Sequence, residues 1–146
     1  MAKFVYRMQN ILDIKKKLES QAEIAYGIAN QKYLSEQKTL QEYMLRRTEY
    51  EKELKDLMTG TLDVKRVGQA RSNVNTMKTM IRRQMIEVHK AELELNDARQ
   101  KLNEIIMERK THEKLREKAF EQFKEEIKES ESKEIDELVS FTYNSN

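Results

Sequence analysis

The chain has 146 residues, of which 37% are charged, three are glycine and none is proline or cysteine. Sheet folds need turn residues at close intervals, so all-β and α/β architectures are excluded. The lack of cysteine removes disulfides, thiolate metal sites and thiol nucleophiles, and a net charge of +2 is too small to argue for nucleic acid by itself. Ala, Glu, Leu, Lys and Arg together supply nearly half of the chain, the composition of a coiled coil or long helix. No apolar run approaches the ~18 residues of a membrane span. The first ten residues, MAKFVYRMQN, lack the apolar core of a secretory signal, so a cytosolic protein is expected.

The first helix is expected over about residues 3–58. Its apolar spacing runs Leu18, Ala22, Ala25, Ala29, then Leu40, Tyr43, Arg47, Tyr50, Leu54 and Leu57. The long interval between Ala29 and Leu40 reads as a four-residue stutter that locally unwinds a supercoil, with Tyr33 filling it. The turn falls in Met58–Asp63, where Gly60 can take the left-handed conformation that ends a helix and Thr61 or Asp63 can cap the next. Gly68 offers a second break, with a separate short helical turn over 62–67.

The second helix is expected over about 63–139. Val67, Val74, Ile81, Val88, Leu95 and Leu102 stand one heptad apart, and Ala70, Met77, Gln84, Ala91, Ala98 and Ile105 form the companion line three residues on. These are the a and d positions of a heptad, and β-branched residues at a favour two strands. Gln84, the polar d residue of this span, can fix register. The tail 140–146 is polar and expected to fray. The fold class is therefore all-α: one domain, 1–146, a long antiparallel two-helix coiled-coil hairpin, because a short connection makes the helices antiparallel neighbours. This register sets Ala25 near Leu95 and Ala98, brings the termini to one end, and leaves residues from about 119 onward running past the N-terminus.

Several apolar side chains fall off the seam: Met80 at g, and Ile86, Leu93 and Met107 at f. A third helix, a homodimer and a docking strip for another protein all fit them, and methionine suits adaptable surfaces. Charge is segregated as well. Residues 65–90 hold seven basic side chains against Glu87, and 125–137 hold seven acidic ones against Lys128 and Lys133. Solvated helix faces and electrostatic steering toward partners both produce such a pattern. No aromatic is interleaved in 65–90, as single-stranded nucleic acid would want. The open end is rich in Phe4, Val5, Tyr6, Met8, Ile11 and Leu12 from the first helix and Phe120, Phe123, Ile127, Ile135, Leu138 and Val139 from the second; packed together, the two sets would close the hairpin.

Catalytic patterns are missing. The chain has no glycine-rich phosphate loop, nucleophile elbow or HExxH. Glu108 and His112 stand four apart without a third ligand, so no metal is expected, and His112 at a d position reads as a partly buried, hydrogen-bonded imidazole. No enzyme activity, cofactor or small-molecule substrate is expected.

The opening stretch KFVYRMQNILDIKKKLESQAE resembles the start of the FliJ family, the coiled-coil component of the bacterial flagellar type III export apparatus. Phe4, Tyr6, Arg7, Met8, Ile11, Leu12, Lys15, Leu18, Glu19 and Ala22 carry the likeness, and chain length, Gly60 and the absence of proline agree with it. The resemblance implies an antiparallel two-helix coiled coil that acts as a stalk at the cytoplasmic face of the cell membrane. Its implied partners are the hexameric export ATPase ring, the large membrane export-gate protein and export chaperones. It places gate contact on Asn73, Met77, Met80 and Gln84, and ring contact on the open end, at Phe4, Tyr6, Arg7, Met8, Ile11, Phe120, Phe123 and Ile127. Two other classes stay open on the residues alone: a self-associating spacer seamed by Met80, Ile86, Leu93 and Met107, and a prefoldin-like holdase.

Overall fold

The computed structural model describes residues 2–144. Two helices account for nearly all of them: α1, Gln9–Leu57, and α2, Val64–Asn144. No strand occurs among the described residues. The architecture is an all-α helical hairpin, and its contacts divide it into two compact units, 1–21 with 103–146 and 22–102.

In the second unit α1 and α2 pack antiparallel. Lys32 reaches Glu94 and, further along α1, Glu36 meets Gln84, nearer the start of α2. The core is the α2 heptad. Ala70, Val74, Met77, Ile81, Gln84, Ala91 and Leu95 are all buried, and Val67, Val88 and Ala98 are half-buried in the same two lines. The connection behaves as a tight turn. Gly60 has φ +92°, a region that costs an L-residue roughly 1–2 kcal/mol. Thr59 closes the end of α1 by donating Oγ1–H to the Asp56 carbonyl at 2.7 Å. Asp63 is the N-cap: its carboxylate accepts from the backbone N–H groups of Lys65 (3.2 Å) and Arg66 (3.3 Å), which satisfies two orphan donors of the first turn. No separate turn precedes α2, which runs unbroken through Gly68.

The α1 register differs from expectation. Its covered positions are Leu12, Lys15, Glu19, Ala22, Tyr26, Ala29, Tyr33, Glu36, Leu40, Tyr43, Arg47, Tyr50, Leu54 and Leu57, alternating three and four apart without a stutter. Leu18 and Ala25, read as seam residues, are exposed. Tyr26 takes the seam position beside Ala25, and the Arg99 guanidinium lies 5.9 Å from its ring centre. Lys15, Glu19, Glu36 and Arg47 hold seam positions although they are polar, which is why apolar spacing misplaced the line.

In the first unit the chain does not enter the helix at residue 3. Residues 2–6 are irregular, and the Tyr6 carbonyl accepts the Gln9 N–H at 3.2 Å before α1 begins. Leaving the helix lets this leader lay Phe4 against α2. At the other terminus α2 continues past Ser140 as far as Asn144, where fraying was expected; Ser145 and Asn146 of that tail lie outside the described residues.

Candidate functional site

In the 22–102 unit the basic stretch of α2 surrounds a shallow groove of about 390 Å³, lined by Tyr43, Met80, Arg83, Gln84, Ile86 and Glu87. Its floor is partly apolar because Met80 lies at g and Ile86 at f, outside the seam, and Ile86 is exposed. Lys65, Arg66, Arg71, Arg82, Arg83 and Lys90 of the same stretch are exposed, and Arg83 lines the groove. Glu87, the single acid of the stretch, is ion-paired with Lys90 at 3.6 Å. The four residues assigned to gate contact, spaced four, three and four apart, share one face of α2 but differ in burial. Met77 is 4% exposed in the seam and Gln84 8%. Gln84 donates to the Glu36 carbonyl at 2.9 Å and to its carboxylate at 2.5 Å. Asn73, half-buried, accepts from Gln69 at 3.2 Å, and Met80 is half-buried at the groove. Gln84 thus acts as the register residue of the seam: a buried amide whose partner stands on the facing helix discriminates against a slipped pairing.

In the unit of 1–21 and 103–146 the leader and α2 form an aromatic cluster. Phe4 meets Phe120 edge-on at 5.1 Å between centroids and Phe123 at 5.3 Å. Arg116 covers the Phe4 ring at 5.5 Å, and Lys124 lies 4.6 Å from the centre of Phe120. Such edge-on and cation–π pairs add about 0.5–1.5 kcal/mol each to burial. Of the residues assigned to ring contact, the structure brings Phe4, Phe120 and Phe123 together. Tyr6 and Ile127 are half-buried, and Arg7, Met8 and Ile11 are exposed. The Tyr6 hydroxyl and the His112 Nδ1 are buried without a hydrogen-bond partner, so the expected bond at that imidazole nitrogen is not formed.

Beneath the cluster lies an ionic layer at polar seam positions. Arg109 is ion-paired with Glu19 across the helices and with Glu113 one turn on, at 3.0 Å. Hydrogen bonds to Glu19 and then Glu113 push its pKa above the ordinary arginine value. Lys15 meets Glu108 at 2.7 Å, and that hydrogen bond, reinforced by the lysine charge, holds the Glu108 carboxyl below the usual range. Glu108 is thereby committed to a lysine. No group of three or more potential metal ligands is assembled among the described residues.

Beyond Ile127 every described residue of α2 is exposed. Ile135, Leu138 and Val139, expected to help close the hairpin, are uncovered, and so are Phe141 and Tyr143, which the polarity of the tail had hidden. The uncovered part begins after Ile127 rather than near residue 119, because the Phe4 leader covers α2 as far as Phe123. No helix of the described residues is long and apolar enough to cross a membrane.

Among known families, the family model described as Flagellar FliJ protein matches residues 4–146. The chain belongs to the FliJ family. It is therefore a component of the flagellar export apparatus, in a family of structural export components rather than enzymes. Neither the curated proteins nor the solved structures contain a match to it.

Proposed function

We propose that this FliJ-family chain is a non-enzymatic stalk that engages the hexameric export ATPase ring and couples it to the large membrane export-gate protein, handling export chaperones at the cytoplasmic face of the membrane. The observation that carries the reading is the family match over residues 4–146; the uncovered side chains support the assignment of its contacts. The ring-facing surface is assigned to the unit holding Phe4, Tyr6, Arg7, Met8, Ile11, Phe120, Phe123 and Ile127. Within it Phe4 and Phe123 hold the leader in place, while Arg7, Met8 and Ile11 are free to touch a partner. The gate-facing surface is assigned to the early part of α2. Asn73 and Met80 supply its contacts, since Met77 and Gln84 are committed to the seam and act by holding Met80 in place.

The test is direct. The purified full chain, added to the cognate export ATPase, is expected to raise ring assembly and ATP hydrolysis and to co-purify with the enzyme. Unchanged hydrolysis together with no co-purification refutes the ring assignment. For the gate, Met80→Glu is expected to reduce capture by the cytoplasmic part of the gate protein without reducing stimulation of the ATPase. Equal loss of both would show that the two surfaces are not separate.

A further inference from the structure

Two surfaces on α2 are opposite in charge, and each carries exposed apolar side chains. The first is the segment that follows Ile127. At 100° per residue, Ile135, Leu138, Val139 and Thr142 fall on one stripe of the helix, with Glu134 on one shoulder and Asp136 on the other. Leu138 is 66% and Ile135 59% exposed. An apolar stripe of this kind normally faces a neighbour, and nothing among the described residues covers it. The acids are also uncompensated: Glu131, Glu134, Asp136 and Glu137 form no ion pair among the described residues, and like charges at such spacing repel.

The second surface is the groove at Tyr43, Met80 and Ile86, a shallow concavity of about 390 Å³ with a partly apolar floor. Arg83 lines it, and Arg82, the next residue of the same basic stretch and one helical turn before Ile86, is exposed as well. Arg83 has no acidic partner among the described residues, and the Arg82 Nε donates only to the Lys78 carbonyl, at 3.4 Å. Glu87, the one acid on the rim, is occupied by Lys90.

We propose that the acidic, apolar C-terminal segment of one copy docks on the basic Met80–Ile86 groove of a second copy. Ile135, Leu138 and Val139 enter the groove, while Glu134 and Asp136 face Arg82 and Arg83. Both surfaces lie on one uninterrupted helix, so the contact forms between copies. Charge sets its encounter rate and its salt dependence, and the apolar stripe supplies its residence time. The contact is separate from the ring assignment and shares Met80 with the gate assignment; its test reads self-association of the chain alone and needs neither partner.

The experiment is sedimentation velocity of the full chain from about 5 µM to about 500 µM, a range that brackets weak micromolar association. It is run in about 20 mM and about 500 mM salt, between which the screening length falls to a few ångström. Association that grows with concentration and weakens at least about tenfold at the higher salt is expected. Two charge-reversed chains complete the test, Arg82→Glu with Arg83→Glu, and Glu134→Lys with Asp136→Lys. All four positions are exposed, and circular dichroism checks that the helix content is kept. Each variant alone is expected to sediment as a monomer, and an equimolar mixture is expected to associate again, since the reversed groove of one now matches the reversed tail of the other. Leu138→Asp is expected to abolish association in every combination. A monomer throughout in low salt, self-association that either reversal leaves intact, or a mixture that stays monomeric overturns the proposal.

Discussion

Leu12→Ala separates the observed register of α1 from the one that apolar spacing suggests. Leu12 is 1% exposed, the one buried residue of α1, whereas Leu18 is 38% exposed. Leu→Ala in a core removes the transfer free energy of the side chain and leaves a cavity, together about 2–5 kcal/mol. Here the site borders an open groove of about 390 Å³ lined by Gln9, Lys16, Glu113, Arg116 and Glu117, so long side-chain stems can move into the vacated space. The loss is therefore expected in the lower half of that range, about 2–3 kcal/mol. Leu18→Ala is expected to cost below about 1 kcal/mol, as truncations at exposed positions do. Urea unfolding followed at 222 nm measures both. Amide hydrogen exchange adds the location, with protection falling in residues 9–21 and 103–120 and little change at 70–95 for Leu12→Ala. Equal costs for the two substitutions, or a larger one for Leu18→Ala, would refute the register and return the seam to the stuttered line.

Further substitutions test the turn, the seam and the ionic layer. Gly60→Ala is expected to lower stability by about 1–2 kcal/mol from backbone strain alone, since an added Cβ would meet nothing within 4 Å. Gly68→Ala, in a helix interior with the same open space, is expected to raise it by about 0.5–1 kcal/mol; thermal unfolding checks the opposite signs. Gln84→Ala, which leaves the Glu36 carboxylate half-buried without its donor, is expected to cost about 1–3 kcal/mol in urea unfolding. The Glu108 carboxyl has its pKa lowered in the folded chain, so its contribution is present above the unfolded-state carboxylate value of about 4.3 and is lost as pH falls through the depressed folded value. Lys15→Met is expected to remove that part of the acid limb of a stability–pH profile measured by urea unfolding.

The α2 seam was legible because its heptad is apolar in almost every place. Val74, Ile81 and Leu95 at a, and Ala70, Met77 and Ala91 at d, are the positions the structure buries. The α1 seam was not, for a physical reason rather than a weak signal. Its two lines, Leu12 through Glu19, Tyr26, Tyr33, Leu40, Arg47 and Leu54, and Lys15 through Ala22, Ala29, Glu36, Tyr43, Tyr50 and Leu57, each keep a strict seven-residue step, but three of their polar members find partners on the other helix: Lys15 on Glu108, Glu19 on Arg109 and Glu36 on Gln84. One helix read by itself treats those residues as solvent-facing and promotes Leu18 and Ala25 instead. Charges of opposite sign recurring on the second helix, at Glu108 and Arg109 against Lys15 and Glu19, were the available signal.

The same reasoning decides how the candidate surfaces should be weighed. Met77 and Gln84 occupy d positions in the heptad while also being assigned to a partner. Both are buried in the seam, and beside them the groove on α2 is lined by Met80, Arg83 and Ile86. At the C-terminal end the error ran the other way. Residues 140–144 looked too polar for a helix, yet Ile135, Leu138, Val139 and Thr142 carry helical spacing up to the last turn, and α2 continues to Asn144 with that stripe uncovered. An amphipathic helix held in place by local propensity alone is marginal in water; a stripe of large apolar side chains on it gains its stability from a covering surface.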